Sequence, residues 1–239
     1  MTDIEKVLRE KLAASHHLIH IIGCDDLLAT HLSARIPGTN HLLITPHNVP
    51  FEEVCASNLV KADFDGNSIG YNKCGLMPQA INIHSSIYKA EPNIMGAVHT
   101  HSVYGNAVAA LECGLLFINQ HSLRFYNDVA YHELDGLALG NEGEEIVKSL
   151  KTKKVMVLRN HGLLTVGNSI EEALYRMYYL ERLCEIQIKT LSAGMPIHSI
   201  PEDICLKTKA QYDSILTPHI EFEVFLRRIE GYSKVDYRD

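Results

Sequence analysis

This 239-residue sequence has no apolar run that approaches the roughly 20 residues a helix needs to cross a bilayer. Its most apolar stretches, such as 18–22 and 108–111, are far too short, so no membrane span is expected. A basic stripe is missing too. Against 29 Asp+Glu stand 22 Lys+Arg, a net charge of −7 with histidine neutral, which excludes a protein whose affinity comes from neutralising nucleic-acid phosphates. The six cysteines, at 24, 55, 74, 113, 184 and 205, form no C-x-x-C pair. A chain this long folds without disulfides, so reduced thiols in a cytoplasm are expected. The opening Met1-Thr2-Asp3-Ile4-Glu5 has no basic stretch leading into an apolar one, so no export signal is read there. The G-x-S-x-G elbow, the P-loop and the G-x-G-x-x-G turn are all lacking.

What is there points to a folded, enzyme-sized body, with 46% hydrophobic and 21% charged residues. Thr2 followed by Glu5 is a capping-box pattern, and Ile4, Val7, Leu8 and Leu12 share a helical face; a first helix to about residue 22 is predicted, stopped by Gly23. Strands are predicted at 32–36 and 41–45 across a Pro37-Gly38-Thr39-Asn40 turn, and at 58–63, 94–99, 128–132, 155–158 and 163–166. Helices are predicted at 79–90, 103–111 and from about 142. Ser169 with Glu172 opens the longest, 170–193, closed by Gly194 and Pro196. The domain is placed at 1–196, with 197–239 as its C-terminal helical arm, expected to pack on a neighbouring subunit. Tyr175, Tyr178, Tyr179 and Leu183 recur on the longest helix and are expected to pack; Glu52-Glu53 is expected to open a helical turn.

Fourteen histidines are the unusual quantity. His99 and His101 stand two apart at the end of an apolar strand, where side chains share a face and both imidazoles can converge. His161 follows another apolar strand, in a turn beside Gly162. Three neutral imidazoles with an open fourth position suit a catalytic metal, because such ligands leave the ion acidic toward a substrate oxygen. The plain alternative is that these are core or cap histidines satisfied by backbone groups.

Four blocks settle what the sequence looks like: LLITPHNVPFEEV at 42–54, ASNLVKADFDGN at 56–67, IHSSIYKAEPNIMGAVHTHS at 83–102 and VMVLRNHGLLTVGNSIEEAL at 155–174. In this order they resemble the class II aldolase/adducin family, over residues 4 to about 190. The resemblance implies an α/β fold, a three-layer αβα sandwich around a mixed, largely antiparallel central sheet, assembled as a homotetramer with sites between subunits. It also implies a divalent metal, zinc first and Fe2+ or Mn2+ as alternatives, held by His99, His101 and His161.

The departures matter as well. Where the sugar-phosphate aldolases of the family carry Ser-Ser-Glu, for phosphate and acid/base chemistry, this chain has Pro78-Gln79-Ala80. Their Gly-Asn and Thr-Gly phosphate pairs become Thr30-His31 and His47-Asn48, and their interfacial tyrosine falls near Gln120. A phosphorylated substrate is therefore not expected, and the local text is closer to the adducin-head branch. One hypothesis is a metal-dependent aldehyde-lyase that stabilises an enediolate of a small hydroxy-carbonyl substrate, lacking the usual Glu. Its proton-transfer candidates are His84, His121 and Tyr126, with Tyr232 of the tail also available. A second is a non-catalytic adducin-like module that holds a protein partner. A third is non-haem iron chemistry on the same three histidines.

Overall fold

Strand-period and helix-period segments alternate along the chain, and a computed structural model, which describes residues 2–70, 73–137, 140–233 and 235–239, folds them around one sheet. The seven strands are β1 His31–Arg35, β2 His41–Ile44, β3 Val60–Asp63, β4 Gly96–Thr100, β5 Val129–His132, β6 Val155–Leu158 and β7 Gly162–Gly167. They lie in the order β3-β2-β1-β4-β7-β6-β5. Every pairing is antiparallel except β5 with β6, which are parallel and joined through α4 Glu142–Leu150. The expected mixed, largely antiparallel sheet is present.

Both faces are covered. On one lie α1 Asp3–Ile21, α3 Val103–Ala109, α5 Ile170–Ser192 and α7 Pro218–Ile229, whose Leu12, Val108, Leu180 and Phe225 join Leu32, Val98, Val155 and Val157 in one core. On the other lie α2 Pro78–Ala90 and α4, whose Ile83, Ile87 and Ile146 meet Leu42, Ala97, Met156 and Leu158. The apolar run 155–158 is continuous because its alternating side chains enter two different cores.

The helix ends follow their local chemistry. Thr2 accepts the amide of Glu5 at 3.2 Å, and Ser169 accepts that of Glu172 at 3.1 Å while the Glu172 carboxylate accepts from Asn168 N at 2.6 Å. Gly23 and Gly194, with φ +70° and +64°, turn the chain after α1 and α5. Two strands begin later than expected. Asn58 is held in a turn, its side chain bonding Cys55 N and Glu53 O at 3.0 Å each, so β3 starts at Val60. Ile94 closes a turn onto Glu91 O at 3.1 Å, so β4 starts at Gly96.

The C-terminal arm comprises α6 Glu202–Ser214 and α7. It packs on its own chain: Phe222, Phe225, Ile229 and Tyr237 belong to the α1/α5 core. The last residues return to the loop before β3, where Ala56 N and Ser57 N donate to Tyr237 O and Asp239 O at 2.9 and 2.7 Å. The tyrosines of α5 pack as expected. Tyr175 and Tyr179 meet edge to face at 4.9 Å, and Phe51–Glu53 forms the short 3-10 turn that Glu52-Glu53 foretold. Among the described residues no helix is long and apolar enough to cross a membrane.

Candidate metal centre

Sheet register gathers the histidines. His99 is the penultimate residue of β4, and Ala97 before it faces the α2 core, so the His99 ring points to that side. His101 follows the strand end directly. His161 sits in the β6–β7 turn, in which Asn160 takes φ +55° and His161 N reaches back to Leu158 O at 3.1 Å. Asparagine tolerates this left-handed conformation better than most residues, and it turns the ring of its neighbour toward β4.

The three imidazoles meet. Nε2 of His99 is 2.9 Å from Nε2 of His101, which is 3.0 Å from Nε2 of His161, and the three nitrogens lie within 4.8 Å of one another. The ring environments determine what these atoms are. His99 Nδ1 donates to Leu163 O at 2.9 Å, and His101 Nδ1 faces the Asp26 carboxylate at 3.3 Å. With the proton on Nδ1, each ring presents a lone pair at Nε2. Lone pairs facing each other at this distance repel unless something positive lies between them. Backbone and carboxylate partners on the far nitrogen are also what orients metal-ligating histidines. The donor set fits a divalent ion of the zinc type.

Burial and the neighbouring imidazoles hold His99 and His31 well below the usual imidazole range, and burial, with His101 adjacent, takes His161 down to about 4. At neutral pH these rings are uncharged, the form in which imidazole binds metals.

The cluster opens into a cavity of about 790 Å³. Its other polar lining comes from His31, His47, Gln79 and Asn160, and its apolar lining includes Met77, Ile83, Leu134 and Leu137. Among the described residues no carboxylate, lysine or arginine lines it. Gln79 faces the site from the first turn of α2.

The proton-transfer candidates lie elsewhere in the chain. His84 is wholly buried and reaches the site only through His31, to whose Nδ1 its Nε2 is hydrogen-bonded at 2.7 Å. His121 stacks on Tyr179 of α5 at 5.7 Å, and Tyr126 packs edge-on against Phe117 at 5.0 Å. Tyr232 is 69% exposed. None of the four lines the cavity. His31, which the sequence marks only as a departure from the family's Gly-Asn phosphate pair, does line the cavity. It pairs with His99 across β1 and β4, and the two rings lie 4.7 Å apart. The available signal was alternation: in β1 the apolar Leu32 and Ala34 face one core, while His31 and Ser33 place polar groups on a sheet face that is also buried.

A three-layer αβα body on a seven-stranded mixed sheet, with three imidazoles converging at its strand ends, defines a class II aldolase-like protein. The chain belongs to the Class II Aldolase and Adducin N-terminal domain family, which its residues 10–188 match. It is similar to the crystal structure of an aldolase II superfamily protein from Pseudomonas syringae (TM-score 0.94, 39% identity, covering 100% of this chain and 98% of that one). An L-fuculose 1-phosphate aldolase from Glaciozyma antarctica PI12 is similar at TM-score 0.88 and 30% identity, over 98% of this chain and 93% of that one. Alpha-adducin of Mus musculus is 41% identical over 198 residues, which are 80% of this chain but only 27% of the adducin.

Proposed function

We propose that this protein is a divalent-metal-dependent lyase of the class II aldolase type, acting on a small, unphosphorylated hydroxy-carbonyl substrate. The carrying observation is the meeting of three imidazole Nε2 atoms at the wall of an open cavity. His99, His101 and His161 would hold the ion, with zinc favoured over Fe2+ or Mn2+. When bound, the ion supplies Lewis acidity that polarises a carbonyl and stabilises an enediolate. The chain's own residues do the rest. Leu163 O and Asp26 keep the His99 and His101 rings in the Nδ1–H tautomer, and Met77 and Ile83 give the cavity an apolar wall. A lining without lysine or arginine favours an unphosphorylated substrate over a sugar phosphate. His121 and Tyr126, outside the cavity of their own chain, can serve a site only from a neighbouring subunit. In this reading the protein is a homotetramer acting in the cytoplasm, and residues 1–196 and the arm at 197–239 form one unit.

The test is elemental analysis after anaerobic purification, followed by cleavage assays on phosphorylated and unphosphorylated hydroxy-carbonyl compounds. Stoichiometric zinc and turnover lost in His161→Ala are expected. Iron in place of zinc would favour non-haem iron chemistry on the same ligands. A metal-loaded protein inert toward the whole panel would favour the second reading, a binding module for a protein partner, which the 41% identity to alpha-adducin supports.

A further inference from the structure

Behind the triad runs a buried polar chain that the metal ligands do not use. Strand β1 places His31 and Ser33 on one face, two residues apart, and α2 places His84 and Tyr88 opposite them, four apart. The two periods interlock: Tyr88 Oη lies 2.8 Å from Ser33 Oγ, Ser33 Oγ hydrogen-bonds His84 Nδ1, and His84 Nε2 lies 2.7 Å from His31 Nδ1. All four side chains are at most 3% exposed. We propose that the closed end of this chain, at Tyr88 and Ser33, sets its direction, so that His31 presents a fixed Nε2–H to the cavity as hydrogen-bond donor to an oxygen of the bound ligand.

The direction follows from the dead end. Among the described residues the only hydrogen-bond partner of the Tyr88 hydroxyl is Ser33 Oγ. A buried phenol that accepts there leaves its own proton without an acceptor, whereas one that donates leaves only a lone pair unfilled, the lesser deficit; Tyr88 therefore donates. Ser33 has one proton and one remaining partner, so it donates to His84 Nδ1. His84 is then the Nε2–H tautomer and donates to His31 Nδ1, which leaves the His31 proton on Nε2. That nitrogen has no partner among the described residues, is not sealed from solvent, and belongs to a ring that lines the cavity beside His99. The opposite direction would present a lone pair there, a fourth ligand or a base instead of a donor.

A rigid N–H held in the cavity wall is the kind of donor that stabilises negative charge developing on a substrate oxygen. This donor role rests on the function proposed above, whereas the direction of the chain does not, and the two are tested separately. For the direction, long-range 1H–15N correlation spectra of the 15N-histidine-labelled full-length protein report the protonated nitrogen of each ring. His31 and His84 are expected as Nε2–H tautomers; an Nδ1–H signal from either overturns the proposal. In Tyr88→Phe the closed end moves to Ser33, whose single proton still has only His84 Nδ1 to go to, so both rings are expected to keep Nε2–H; a switch of either to Nδ1–H would show that the closed end does not set the direction. For the donor role, zinc-loaded protein is titrated with acetohydroxamate. Wild type and His31→Gln, which keeps an N–H, are expected to bind within about threefold of each other, and His31→Leu about tenfold more weakly at equal zinc content. Equal affinity in all three, or equal loss in Gln and Leu, overturns the donor role. A wild type that takes up no zinc would sink the metal-dependent function, and the spectra would still decide the direction of the chain.

Discussion

His99 and His101 face each other through Nε2 atoms 2.9 Å apart, while the far nitrogen of one donates to Leu163 O and that of the other faces Asp26. Two lone pairs brought so close are a built electrostatic liability, and a cation is its natural resolution. The second partner is the more open to test, because Asp26 can be changed without touching a ligand. Asp26→Asn keeps the size of the side chain and removes the charge that orients His101. Zinc affinity, measured by competition with a chelating dye, is expected to fall about tenfold. Unchanged affinity would mean that Asp26 is a bystander at the loop surface.

Gly96 is where β4 crosses the start of α5. A Cβ there would lie 2.6 Å from Ile170 Cα and 2.7 Å from both Ile170 N and Ser169 O, all backbone atoms that cannot swing aside. Gly96→Ala is expected to destabilise the fold by about 2 kcal/mol and to lower Tm by roughly 5 °C. Differential scanning calorimetry checks it, and a wild-type Tm would show that the strand–helix approach is looser than the structure has it.

Arg124 fastens the arm to the body. Its guanidinium lies 3.8 Å from the Tyr179 ring centroid and 4.0 Å from that of Tyr212, between α5 and α6, and its Nε donates to Tyr175 Oη at 3.1 Å. Truncation to alanine removes both cation–π contacts, about 1 kcal/mol in all. Limited proteolysis of Arg124→Ala is therefore expected to cut within 202–214 faster than in wild type, with the sheet domain as resistant as before. Uniform sensitivity along the chain would indicate instead that the residue supports the whole core.

His16 couples stability to pH. It is fully buried in α1, where Nδ1 donates to Leu12 O at 2.7 Å and Nε2 accepts from Thr45 Oγ1 at 2.8 Å, and burial takes it from 6.5 down to about 3. The folded form releases its proton more readily than the unfolded chain. Its contribution is therefore complete above about 6.5 and is lost as pH falls toward about 3. Urea unfolding at pH 6, 5 and 4 should show a fall in stability that is flatter in His16→Gln, by up to about 1.4 kcal/mol per pH unit. Parallel slopes in the two proteins would remove His16 from the acid response.

Much of this was legible in the residues themselves, because it is local. The capping pairs Thr2/Glu5 and Ser169/Glu172, the stops at Gly23 and Gly194 and the apolar run 155–158 each encode their structure within a few positions. His99 and His101 were legible together because strand periodicity acts over two residues. His161 joined them from sequence through its place at another strand end together with resemblance to the family. Its convergence on them depends on β4 pairing with β7, a contact across more than sixty residues. The place of His31 beside the triad, and the chain behind it, were hidden for the same reason. A strand of period two and a helix with side chains four apart interlock only once β1 and α2 are packed, and nothing in either segment names the other. Local propensity thus determined the elements and their ends. Long-range register, which turns on burial and pairing across the sheet, decided which histidines meet and in which direction their protons lie.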